Sequence, residues 1–119
     1  SGDPDELRPL TAQGREAARA LGQRLADEGV RPDAILTSPL LRARETAREL
    51  ARPAGVEPEP DERLAPGAPA AGVRAAAQER GETVVVVGHP PDCSRIAAAL
   101  TGGEEPPFAP GAMLSIDLP

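Results

Sequence analysis

The chain has 119 residues, enough for one domain with a modest core, and we expect a single domain over residues 1–119. Thirteen basic residues face nineteen acidic ones, and the net charge of −6 argues against a general nucleic-acid binder. One cysteine, Cys93, excludes an internal disulfide and favours a reducing compartment. No apolar stretch suits a membrane span and no signal peptide is visible, so we expect a cytoplasmic protein.

Helices and short strands alternate in the predicted secondary structure, which is typical of α/β layering. Thr11 is a good helix N-cap, and Ser38-Pro39 combines a cap with a proline at a first helical position. The first helix has no strand before it, although a crossover unit normally begins with one. In the first half of the chain we predict a helix over 12–28, a strand over 34–37 and a helix from Pro39 to about residue 51. A proline-rich connection over 53–69 follows, with a short extended piece near Val56. In the second half we predict a helix over 70–80, a strand of valines over 84–87, a helix from about 92 to 100, and a half-exposed edge strand over 112–118.

Polar side chains follow two of the predicted strands at the point where each strand ends. The valines of residues 84–87 predict a strand buried on both faces, which leads to His89, the one histidine of the chain. The strand over 34–37 leads to Ser38 and then to Arg42, in the first turn of the next helix. If both strands lie in one parallel sheet, their ends meet at the edge where such sheets bind ligands. A guanidinium, an imidazole and a helix N-terminus at one edge predict a phosphate pocket.

Each of these residues has a plainer interpretation when it is taken alone. A lone histidine is more often a packed or capping residue than a catalyst, and Arg42 is a surface charge on a helix that also carries Arg44 and Arg48. Every basic residue is arginine, which suits phosphate oxyanions but also follows from a GC-rich genome. Only the two strand ends together favour the pocket.

Three segments resemble the histidine phosphatase superfamily, the phosphoglycerate-mutase-like group, in the right order and over nearly the whole chain. Residues 37–47, TSPLLRARETA, resemble the pattern S-P-L-x-R-A-x-x-T-A. Residues 85–91, VVVGHPP, resemble the segment of the second catalytic histidine, and residues 8–14, RPLTAQG, resemble the R-P-L-T-x-x-G of the phosphohistidine-phosphatase branch. The resemblance implies a three-layer α/β/α sandwich of the phosphoglycerate-mutase-like type, here without its first strand.

The resemblance also implies a phosphatase that works through a phosphohistidine intermediate, with no metal or organic cofactor. Arg42 matches the arginine that binds the transferring phosphoryl group, His89 matches the histidine that hydrogen-bonds its oxygens, and Ser38 joins them in the phosphate-binding set. Glu62 lies where many members have the leaving-group acid, although a solvated loop charge is the commoner role. The implied substrate is phosphohistidine in a protein, with a small phosphate ester as an alternative, and neither nucleic acid nor a membrane is expected as a partner.

One part of the family's site has no counterpart in this sequence. The nucleophile is a histidine in an Arg-His-Gly motif that ends the first strand, and residues 1–10 contain neither a histidine nor an apolar strand. His89 matches the supporting histidine and is not expected to replace the nucleophile. We expect an N-terminally incomplete chain that is inactive or nearly so by itself, and a non-catalytic phospho-ligand binding protein is the alternative. Cys93 is not followed by the arginine that a cysteine-based phosphatase loop needs, and no apolar strand precedes Asp3-Pro4-Asp5, the Asp-x-Asp of another phosphatase class. One histidine without a cysteine or carboxylate cluster makes a poor metal site.

Overall fold

The computed structural model describes residues 10–65, 67, 69–88, 97–100 and 102. His89, the predicted strand over 112–118 and the first part of the predicted helix over 92–100 lie outside these residues, while residues 97–100 are helical. The named elements are helix α1 (Ala12–Asp27), strand β1 (Ala34–Thr37), helix α2 (Leu41–Ala51), strand β2 (Glu59–Pro60), a 3-10 helix (Glu62–Leu64), helix α3 (Ala70–Gln78) and strand β3 (Val84–Val87).

Helix α1 begins where the sequence predicts. The Thr11 hydroxyl oxygen accepts a hydrogen bond from the Gly14 backbone N–H at 3.0 Å, which satisfies one of the donors left open at a helix N-terminus. Gly29 follows the C-terminal end of the helix with a φ of +76°, a conformation that suits glycine. The buried residues of α1 are spaced four and three apart, as expected for an amphipathic helix: Ala18, Gly22 and Leu25.

Helix α2 begins two residues later than predicted. Its N-cap is Leu40, whose side chain makes no capping hydrogen bond. The Ser38 hydroxyl oxygen accepts a hydrogen bond from the Leu40 backbone N–H at 3.3 Å, so Ser38 stabilises the turn before the helix and does not cap it. Leu40 is buried in the core, whereas Leu41 is only half-buried.

The described strands form a parallel sheet in the order β2-β1-β3. Strand β1 is central and buried along its whole length. It pairs with β3 from Ala34 opposite Val84 to Thr37 opposite Val87. It also pairs with β2, which lies a few residues beyond the extended piece predicted near Val56. Parallel neighbours need crossover connections, which α2 and α3 provide.

Helices cover both faces of this sheet. Side chains alternate between the faces along a strand, so neighbouring positions enter different cores. Ile35 and Val85 pack on the side of α1 and α2, whereas Leu36 and Val84 pack on the side of α3. The predicted α/β class with three layers is therefore confirmed.

Strand β3 is less buried than its valines predict. Val87 is buried, Val84 and Val85 are half-buried, and Val86 is 38% exposed. Within the described residues β3 pairs only with β1, which leaves its other edge without a described strand. The prediction that this valine strand is buried on both faces is therefore wrong for the described part of the chain.

Asp33 connects the beginnings of β1 and β3. Its carboxylate accepts hydrogen bonds from the backbone N–H groups of Glu82 and Thr83 at 2.9 and 3.1 Å, and its own N–H donates to the Thr83 carbonyl at 2.7 Å. Gly81 makes this approach possible, because a Cβ at that position would lie 2.6 Å from the Asp33 side chain. The register of the two strands is thereby fixed at their amino ends.

We expect Gly22→Ala to lower the free energy of unfolding by about 1–3 kcal/mol, the usual cost of overpacking. An added Cβ would lie 2.7 Å from the Leu50 carbonyl oxygen, so α1 and α2 must separate. Gly72→Ala is the control, because the nearest atom to its Cβ is 3.7 Å away, and it should stabilise α3 by up to about 1 kcal/mol. Urea unfolding measures both changes, and equal effects would contradict the close approach.

Candidate active site

The carboxyl ends of the three described strands lie at one edge of the sheet. The Ser38 backbone N–H donates to the Val87 carbonyl at 3.0 Å, directly beyond the paired ends of β1 and β3. The Asp61 N–H donates to the Thr37 carbonyl at 3.0 Å, which brings the end of β2 to the same edge. The predicted meeting of the strand ends that precede Arg42 and His89 is therefore confirmed, although the imidazole itself lies outside the described residues.

Ser38 is fully buried at this edge. Its hydroxyl oxygen accepts the Leu40 N–H, and the neighbouring Thr37 hydroxyl donates to the Ser38 carbonyl at 3.0 Å. These bonds fix the path of the backbone between β1 and α2. The direct phosphate contact expected of Ser38 stays a prediction.

Arg42 is the second residue of α2 and is half-buried. Its carbonyl accepts a hydrogen bond from the Thr46 hydroxyl at 2.8 Å, one turn farther along the helix. Because the Leu40 side chain does not cap the helix, it leaves the N–H groups of the first turn to other acceptors. Those N–H groups and the positive end of the helix dipole favour an anion beside the guanidinium. Phosphate binding by Arg42 stays a prediction.

Glu62 is exposed in the 3-10 helix that follows β2. The Leu64 side chain of this turn is buried in the core on the α3 side of the sheet. Arg63 forms ion pairs with Asp61 at 2.8 Å and with Glu79 at 2.9 Å. Hydrogen bonds from Arg63 lower the pKa of both carboxyls. The turn thus holds Glu62 near the carboxyl edge of the sheet and in contact with solvent.

A cluster of charges between α1 and α2 was not among the sequence predictions. Arg15 on α1 pairs with Glu45 on α2 at 3.1 Å, and Arg19 pairs with Glu49 at 2.9 Å. Residues four apart lie on one face of a helix, so the two arginines and the two glutamates form matching ladders. The signal available in the sequence is this shared spacing, but nothing in it says which helices are neighbours.

Glu49 is the most buried charge of the cluster, with 1% of its side chain exposed. The hydrogen bond from Arg19 holds the pKa of its carboxyl below the usual 4.5. Its second oxygen, Oε2, lies 3.3 Å from Arg52 and 3.7 Å from Arg15 and makes no hydrogen bond to the described residues. A buried carboxylate in this position depends on the nearby positive charges.

The described part of the chain shows neither a cluster of metal ligands nor a membrane-crossing helix. No group of three or more histidine, cysteine, aspartate or glutamate side chains is placed there to hold a metal ion. None of the helices described has the length and apolar character needed to cross a membrane.

The family model for branch 1 of the histidine phosphatase superfamily matches residues 4–66, which is more than half of the chain. The chain belongs to the histidine phosphatase superfamily. The prediction made from residues 8–14, 37–47 and 85–91 is therefore confirmed.

Comparison with relatives and solved structures supports the phosphohistidine-phosphatase branch. Phosphohistidine phosphatase SixA of Escherichia coli K12 is 33% identical over an alignment of 123 positions. The alignment covers 96% of this chain and 75% of SixA. An uncharacterized protein of Picosynechococcus sp. is 41% identical over 106 residues, and the chain spans only 64% of its length. The structure of SixA complexed with tungstate is similar with a TM-score of 0.80 at 28% identity, over 92% of this chain and 74% of that one.

We expect Glu49→Gln to make the stability of the chain less dependent on pH. The folded-state pKa of Glu49 lies below its ordinary value of 4.5, so the ionised carboxylate stabilises the fold above that pH. This stabilisation is lost as the pH falls through the lower, folded-state pKa. Wild type should exceed the variant in stability most at about pH 7, and the difference should shrink as the pH falls below 4.5.

Urea unfolding at a series of pH values measures this difference. Glu16→Gln, on the exposed side of α1, is the control and should follow the wild-type pH dependence. A difference between wild type and Glu49→Gln that stayed constant over the series would show that the ion pairs do not stabilise the fold.

Proposed function

We propose that this chain carries the Arg42 and His89 part of the active site of a phosphatase that works through a phosphohistidine intermediate and removes phosphate from phosphohistidine in a protein. The parallel pairing of β1 with β3 carries the proposal, because the residues following these two strands are the ones that the family resemblance assigns to the phosphoryl group. Membership of the superfamily and the SixA relatives support it. Tungstate, held by the SixA structure, is a tetrahedral oxyanion like phosphate.

Arg42 binds the phosphoryl group in this proposal. Its guanidinium donates paired hydrogen bonds to two oxygens of the group, and the start of α2 adds a positive field at the same place. The transition state spreads its charge over the three equatorial oxygens of the phosphoryl group, so catalysis depends mainly on the placement of the guanidinium. Ser38 contributes by fixing the loop between β1 and Arg42.

The group transfer needs a second histidine, which the family resemblance assigns to an Arg-His-Gly motif that residues 1–119 do not contain. Its ring nitrogen forms a bond to phosphorus while the P–N or P–O bond of the substrate breaks. Water then attacks the phosphohistidine, which releases inorganic phosphate and regenerates the imidazole. His89 hydrogen-bonds the oxygens in both steps. A histidine leaving group departs with a proton on its own ring, whereas Glu62 supplies a proton when the leaving group is an alkoxide.

Arg42→Ala in the complete gene product should lower kcat/KM for an aryl phosphate about 10²-fold or more, the scale of losing a positioned transition-state donor. Arg44→Ala is the matched control, since Arg44 is exposed on the same helix two residues away, and its kcat/KM should equal that of wild type. Initial rates of p-nitrophenol release measure both variants. An Arg42→Ala variant with unaltered turnover would show that the phosphate group binds at another place in the protein.

A second experiment separates the phosphatase from a non-catalytic binding protein and from an enzyme of small phosphate esters. We expect the complete gene product to release radioactive phosphate from a protein that carries labelled phosphohistidine, faster than from a sugar phosphate. His89→Ala should slow this release by about 10²-fold. Binding without release would favour the phospho-ligand binding protein, and a preference for the sugar phosphate would favour the small-molecule enzyme.

A further inference from the structure

The Glu45 carboxylate joins the beginnings of α1 and α2. Its Oε1 accepts a hydrogen bond from the Leu10 backbone N–H at 2.8 Å, although the two residues are 35 positions apart. Its Oε2 accepts a hydrogen bond from Arg15 at 3.1 Å. Leu10 directly precedes Thr11, the N-cap of α1. The carboxylate therefore holds the chain at the point where it enters this helix.

This contact lies close to the candidate phosphate site. Glu45 follows Arg42 by three residues, so the two side chains leave neighbouring positions on α2. Helix α2 begins at the carboxyl edge of the sheet, one short loop beyond β1. The bond to Leu10, next to the N-cap of α1, therefore places the start of α1 beside the first turns of α2.

The other glutamate of the cluster provides a comparison. Glu49 lies one turn farther along α2 and joins the same two helices through Arg19. Among the described residues, Glu49 contacts arginine side chains, whereas Glu45 also accepts a backbone N–H. The bond from Leu10 is the main cause of the lowered pKa of Glu45, so this carboxylate is ionised at neutral pH. A charged acceptor makes the bond stronger than one between neutral groups.

We propose that Glu45 is a positioning residue for the phosphate site: it holds Leu10 against the first turns of α2 and thereby fixes where the start of α1 lies relative to Arg42. This inference rests on the function proposed above. The family pattern S-P-L-x-R-A-x-x-T-A leaves the position of Glu45 open, so the role does not come from the resemblance. Misplacing a part of an active site by about 1 Å costs up to about 10²-fold in rate.

The test compares three variants of the complete gene product, assayed on an aryl phosphate well below their melting temperatures. Glu45→Ala removes the acceptor for the Leu10 N–H and should lower kcat/KM at least about tenfold. Glu45→Gln keeps a carbonyl oxygen at this position and should retain activity within about threefold of wild type. Arg19→Ala removes an ion pair between the same helices one turn away and should lose stability but not activity.

Each outcome decides a different question. Activity losses in Glu45→Ala and Arg19→Ala that follow their losses of stability in the same proportion would overturn the positioning role. So would a Glu45→Gln variant as impaired as Glu45→Ala, or a Glu45→Ala variant with wild-type activity. A wild-type protein without turnover would overturn the proposed function and this inference with it, whereas an active wild type confines any failure to Glu45.

Discussion

The parallel pairing of β1 with β3 is the constraint on which the rest of the structure depends. Side chains alternate along a strand, so a shift of one residue would exchange the cores that Ile35 and Leu36 enter. The Asp33 carboxylate fixes the register at one end of the pair, and the Ser38 N–H fixes it at the other. Once the register is set, the chain leaves both strands at the same edge, whatever its path between them.

The ion pairs of Glu49, between α1 and α2, join a buried carboxylate to exposed guanidinium groups. Glu49 is removed from water, while its partners Arg19 and Arg52 keep much of their guanidinium surface in solvent. Desolvating two opposite charges often costs as much as their attraction returns. Here mainly the Glu49 carboxylate is desolvated, and several nearby arginines attract its negative charge. The arrangement joins the helices without requiring a fully buried ion pair.

The fold was predictable where a local signal and the tertiary contacts agree. The apolar run of residues 34–37 matches β1, and the Thr11 cap matches the start of α1. Strand β2 has no apolar run of its own and exists through its pairing with β1. Ser38-Pro39 has the composition of a helix start, but burial of Leu40 delays the helix by two residues. Local chemistry alone does not reveal which leucine the core will take.

The candidate site was predictable to a similar depth. The alternation of strands and helices indicated that the ends of β1 and β3 share one edge, and the family motif singled out Arg42. The contribution of Glu45 could not be foreseen, because its partner Leu10 is remote in sequence and offers only a backbone N–H. A backbone donor leaves no mark on the amino-acid sequence. Such contacts appear only when neighbouring helices are known.

Helix α1 is held against α2 at several places, among them Arg15 near its start and Gly22 two turns later. One inserted residue between them would rotate the following part of the helix by about 100° and carry Gly22 away from the Leu50 backbone. A deletion would have the same effect in the opposite direction. The spacing between these positions is therefore a fixed length within the fold, whereas the exposed turn over residues 52–55 has room for loops of different size.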